Sequence, residues 1–160
     1  MRNQSFEKGQ TLTSYDKDVV AWSREQAGLL RAGRLDELDT EHIADEIEDV
    51  GRAEIRELTR RMAALLGYLI EWRFSPARRR PSCDQAIHRL RDAIARRLRR
   101  MPSLEATLSD SDFWADAWDD AIETVANDLL YVELPWACPW STQQILTHDF
   151  LPDPTNTPDD

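Results

Sequence analysis

One long apolar periodicity, unbroken by proline until Pro76, sets the terms on which this chain can fold. Ile43, Ile47, Val50, Leu58, Met62, Leu65, Leu69 and Trp72, with Glu54 in the series, recur every three or four residues. That spacing predicts one helix of about 33 residues, ending before Pro76 because the residue ahead of a proline is pushed out of the helical region. Ile55, Leu66 and Ile70 widen the apolar arc in its second half, so this stretch should be central and buried on more than one side. Gly51 costs such a helix about 1 kcal/mol relative to alanine and is expected to mark a close helix crossing.

A helix of that length needs helical partners, and the rest of the chain supplies them. Thr13 or Ser14 can cap a first helix over residues 14–32, with Tyr15, Val19, Trp22, Gln26, Leu29 and Leu30 at helical spacing and Gly33 as its stop. Asp39 or Thr40 caps the long second helix. Ser82 with Gln85 reads as a capping box for a third, carrying Ile87, Leu90, Ile94, Leu98 and Met101 up to Pro102. Residues 103–108 form a short turn. Ser111 or Asp112 opens a fourth helix with Phe113, Trp114, Trp118, Ile122, Val125, Leu129 and Leu130, and Ser141 or Thr142 caps a last short one through Leu146. The predicted fold is all-α: a compact antiparallel bundle of four main helices, with short extra helical turns and a Trp/Pro C-terminal loop. Residues 13–151 form one domain, between an N-terminal arm (1–12) and an acidic tail (152–160) whose polar composition cannot pack a core. The N-terminus lacks an apolar segment of the signal-peptide kind, and no apolar run is long enough to span a bilayer, so a cytoplasmic protein is expected.

Charge narrows the function. The chain carries 20 Lys+Arg against 30 Asp+Glu, a net charge of −10, yet no Lys or Arg lies beyond Arg100. Thirteen carboxylates run from Glu105 to Asp160, whereas ten arginines crowd residues 73–100. The basic third helix is therefore expected to lie beside the acidic fourth, with Arg96, Arg97 and Arg100 facing its carboxylates. Acidity excludes general DNA binding and disfavours RNA, since phosphate contacts need a basic face.

Several motifs fall in a characteristic order: Tyr15-Asp16-x-Asp18-x-x-x-Trp22, Leu29-Leu30-Arg31, Leu38-Asp39, the run from Asp45 to Arg52, Pro102-Ser103-Leu104, Cys138-Pro139-Trp140 and Asp149-Phe150-Leu151-Pro152. Together they resemble the bacterial domain-of-unknown-function 29 family, over about Tyr15 to Pro152. The resemblance implies an all-helical bacterial protein of the cytoplasm and brings no activity. The chain departs from the family where Tyr68-Leu69-Ile70-Glu71-Trp72 stands for His-Leu-Leu-Lys-Trp, and where Cys83 stands for tryptophan.

No catalytic motif appears, and the chemistry-bearing candidates are few. Asp45, Glu46, Asp49 and Arg52 make an acidic first stretch of the long helix, with Glu46 and Asp49 on one face. Such a pair binds Mg²⁺ or Mn²⁺ when a second acidic pair meets it, for which Asp116 and Asp120 are the candidates. Without that convergence it is a solvated first turn, Glu48 pairing with Arg52. His42, His88 and His148 form neither HxxxH nor ExxH and read as surface or capping residues. Cys83, near Arg78, Arg79 and Arg80 at a helix start, is either a low-pKa thiol or a small packing residue, and the arginine trio either holds a phosphate or is a solvated loop. Trp136 and Trp140, each next to a proline, must cover the bundle or face a partner; both are expected to form a lid. The favoured function is a non-enzymatic protein-interaction module, needing no cofactor and binding a protein or itself. The alternative is a metal-dependent phosphohydrolase acting on a nucleotide-like substrate.

Overall fold

The computed structural model describes residues 12–129 and 133–153. Residues 1–11, 130–132 and 154–160, and with them most of the expected arm (1–12) and tail (152–160), lie outside the described residues. Among those described there is no strand. The helices are α1 (Val19–Ala32), α2 (Thr40–Phe74), α3 (Pro81–Arg100), α4 (Ser111–Val125) and α5 (Thr142–Leu146), with 3₁₀ turns at Leu35–Glu37, Pro76–Arg78 and Pro102–Ser109. The all-α expectation holds, and none of these helices is long and apolar enough to cross a membrane. The chain forms two compact units, Met1–Arg52 and Ala53–Asp160.

In the first unit, α1 starts five residues later than its apolar spacing suggests. Ser14 O accepts from Lys17 N and Asp18 N, closing a turn, and the Asp18 carboxylate then accepts from Val20 N and Ala21 N at 3.0 Å each. An aspartate that takes up two otherwise orphaned helix donors outcompetes Thr13 and Ser14 as a cap. Gly33, at φ 69°, ends α1 in the left-handed conformation that glycine adopts without steric penalty. Trp22, Gln26 and Leu29 are buried.

Ile47 and Val50 depart from expectation: they are 67% and 68% exposed. Gly51 does not mark a crossing either, since a Cβ placed there would meet nothing within 4 Å.

The second unit holds the core that the widened arc predicts, except at Ile55, which is 40% exposed. From α2, Leu58, Met62, Leu65, Leu66, Leu69 and Ile70 are all wholly buried. They belong to one cluster with Ile87 and Ile94 of α3, Phe113, Ala117, Trp118, Ala121 and Val125 of α4, and Ile145 of α5. The close approach lies at Gly67, where a Cβ would sit 3.6 Å from Val125 Cγ1. The expected capping box at α3 does not form. Pro81 takes the first helical position, where its missing N–H and fixed φ suit the helix, so Arg80 becomes the N-cap and Ser82 lies inside the helix.

Candidate functional site

The Trp/Pro loop is built from beneath by a residue in the basic helix. Arg91 occupies the apolar face of α3, four residues after Ile87 and three before Ile94, and is only 4% exposed. Its guanidinium donates to three backbone carbonyls of the C-terminal segment: Nε to Ile145 O at 2.8 Å, Nη1 to His148 O at 2.8 Å, and Nη2 to Phe150 O at 2.7 Å. Burial pushes its pKa down, the desolvation effect on a cation, and three charge-assisted bonds offset it. This fork fixes α5 and the segment over residues 149–152, which in turn receive the loop.

The loop splits its two tryptophans. Trp140 is half-buried, edge-on to Trp118 with centroids 5.9 Å apart and to Phe150 at 6.4 Å. Trp118 Nε1–H donates to Pro135 O at 3.2 Å. At the other end Ser141 and Gln144 form a reciprocal capping box, at 3.2 and 2.9 Å. Between these fixed ends Trp136 is 95% exposed. The expected two-indole lid is therefore corrected: Trp140 covers the core and Trp136 does not. The chain bends at Trp136 and Ala137 and again at Trp140, so no single extended run carries both indoles to one face. Cys138 Sγ lies 3.6 Å from Trp140 O, and burial pushes its thiol pKa up.

The carboxylates of the acidic stretch of α2 have partners within the first unit. Glu46 accepts a hydrogen bond from Tyr15 OH, and this bond is the first cause of the raised Tyr15 pKa. Asp49 and Glu48 both hold Arg52, at 2.6 and 3.1 Å, while Asp45 is exposed. Asp116 and Asp120 are exposed on α4, in the second unit. Among the described residues no three His, Cys, Asp or Glu side chains gather to hold a metal ion.

Beside Tyr15 lies a polar cluster that the sequence reading passed over. Asp39 caps α2, and its Oδ2 accepts from His42 Nδ1 at 2.8 Å and from Trp22 Nε1 at 3.0 Å. Asp39 N donates to the buried Gln26 Oε1 at 2.9 Å. The Tyr15 ring stacks on His42 at 4.4 Å and meets Trp22 edge-on at 5.0 Å. The bond to His42 holds Asp39 below the usual carboxylate range, and the same bond holds His42 above the usual imidazole value. His42 thus takes the capping role expected of it, bonded to Asp39 at the start of α2, and joins a ring cluster that was not expected. An aspartate–histidine pair can shuttle a proton at Nε2, but among the described residues no nucleophile is bonded to that atom.

The other candidates resolve into structural roles. Arg79 donates to Trp72 O and Arg73 O at 2.8 and 3.1 Å, capping the last carbonyls of α2. Arg78 binds Asp128 and approaches Glu71 at 3.7 Å, and Arg80 donates to Ala77 O. Cys83 is buried beside the Tyr68 carbonyl, and burial, with Glu71 next, raises its pKa, the opposite of an activated thiol. Residues of α3 and α4 share the core cluster, but among the described residues the expected ion pairs between them do not form, and Arg97 instead binds Glu54 of α2.

The model of the family described as "Domain of unknown function DUF29" matches residues 14–151. No curated protein and no solved structure matches the chain.

Proposed function

The chain belongs to the DUF29 family, and we propose that it is a non-enzymatic protein-interaction module anchored by Trp136. The observation that carries this reading is the 95% exposure of Trp136 in a loop whose flanks are pinned. A tryptophan buries about 150–250 Å², so at about 25 cal/mol per Å² it offers a partner roughly 4–6 kcal/mol of gross apolar burial. Tryptophan is among the commonest interface hot spots. The Trp118–Pro135 bond, the Ser141–Gln144 box and the Arg91 fork fix the loop before any partner arrives, which lowers the ordering cost of association. The alternative phosphohydrolase needs Glu46 and Asp49 free to meet Asp116 and Asp120, whereas both are already bonded, to Tyr15 and Arg52.

Sedimentation of the wild type and of Trp136→Ala across a concentration series, together with affinity capture by each, tests the proposal. The expected result is a stoichiometric complex, with itself or with a second protein, that Trp136→Ala abolishes while leaving the melting temperature within about 1 °C. A wild type that stays monomeric and captures the same proteins as the variant would refute it.

A further inference from the structure

The second unit carries a groove of about 290 Å³ lined by Arg61 and Glu54 of α2 and by Arg96, Arg97 and Arg100 of α3. Four guanidinium groups face one carboxylate there, in a chain whose net charge is −10. Like charges gathered on one wall repel each other, and the protein's own acceptors quench them only in part. Glu54 is taken by Arg97 Nη2. Arg61 places Nε on Glu57 Oε1 at 2.7 Å. Arg96 and Arg100, one turn apart on α3, have no ion-pair partner among the described residues. Arg97 Nε is shielded from solvent and has no hydrogen-bond partner, and a buried donor left unmet is unfavourable.

From this arrangement we propose that the groove binds a diphosphate group, either as inorganic pyrophosphate or as the phosphate tail of a nucleotide. The guanidinium fork is planar and matches two phosphate oxygens at once, so a cluster of forks reads phosphate in preference to a single carboxylate. The volume sits at the small end of ligand pockets, about 300–1,000 Å³, which suits a short phosphate chain rather than a large organic body. The acidity of the rest of the chain repels anions elsewhere, which concentrates binding at this one basic wall. The site is independent of Trp136, and its success or failure leaves the interaction reading untouched.

Calorimetric titration of the full chain with pyrophosphate, inorganic phosphate and ADP, at about 0.05 M and about 0.15 M salt, tests the proposal. One pyrophosphate per chain should bind, at least about ten-fold tighter than phosphate and more weakly at the higher salt. ADP matching pyrophosphate means that only the diphosphate is read, and ADP binding more tightly identifies a nucleotide. The double substitution Arg96→Gln with Arg100→Gln, both exposed, should keep the melting temperature and weaken binding at least about ten-fold. Arg60→Gln, which removes an arginine outside the groove, should change nothing. No saturable binding, equal loss in Arg60→Gln, or an affinity that rises with the length of an added single-stranded RNA would each overturn the proposal.

Discussion

Replacing Arg91 by methionine removes the fork beneath the Trp/Pro loop while keeping an unbranched stem in the α3 face. A hydrogen bond to a charged group contributes about 1.5–3 kcal/mol net, but tripling that figure overstates the loss. His148 is exposed and Phe150 half-buried, so their carbonyls can turn to water. The variant also sheds the desolvation cost visible in the lowered Arg91 pKa. Ile145 is wholly buried and its carbonyl has no such recourse. One carbonyl left unmet, plus partial loss at the other two, gives about 2–4 kcal/mol. For a unit of roughly 100 residues that is a fall in Tm of about 8–16 °C. Urea unfolding followed by tryptophan emission should show it, with faster amide exchange at Thr147 and Phe150 as α5 undocks. A loss under about 1 kcal/mol with unchanged Trp140 emission would mean that the three bonds are idle, and the account of the loop's rigidity would fail with them.

Two further outcomes follow from the first unit. Gly51→Ala should stabilise the protein by about 1 kcal/mol, because nothing crowds the new methyl and glycine is the poorer helix former; destabilisation in urea unfolding would show a constraint at that position. His42→Gln should flatten the pH dependence of this unit's stability. The folded pKa of His42 is raised through Asp39, so its contribution is full below about pH 6.5 and is lost as pH rises through the folded value; equal slopes in variant and wild type, monitored at the Trp22 indole N–H, would contradict this.

Much of the fold was legible because helices announce themselves through period and punctuation. The α2 core from Leu58 to Ile70, the Gly33 stop and the Ser141 cap all follow from spacing and stop signals. What misled was competition between equally good local signals. Asp18 outbid Ser14, and Pro81 displaced the Ser82 box. Ile47 and Val50 kept the helical rhythm without being buried, since periodicity identifies a face and not what covers it. The sites were harder. Arg91 was hidden in a count of arginines, although its position between Ile87 and Ile94 on an apolar face was the usable signal. His42 was weighed alone, while its partners Tyr15, Trp22 and Asp39 all lay within the motifs that carry the family likeness. The proline rule correctly kept the two indoles out of a helical face, but it held no information on which would turn inward.

The Arg91 fork also orders events in time. Its acceptors lie 54, 57 and 59 residues downstream, so during synthesis α3 emerges with a cation on its apolar face and only water to satisfy it. Burying that face before the C-terminal carbonyls are in place would bury an unpaired charge, which is strongly unfavourable. The buried place of α3 therefore depends on a segment more than fifty residues downstream, which ties the closing of this unit to a contact of long sequence separation.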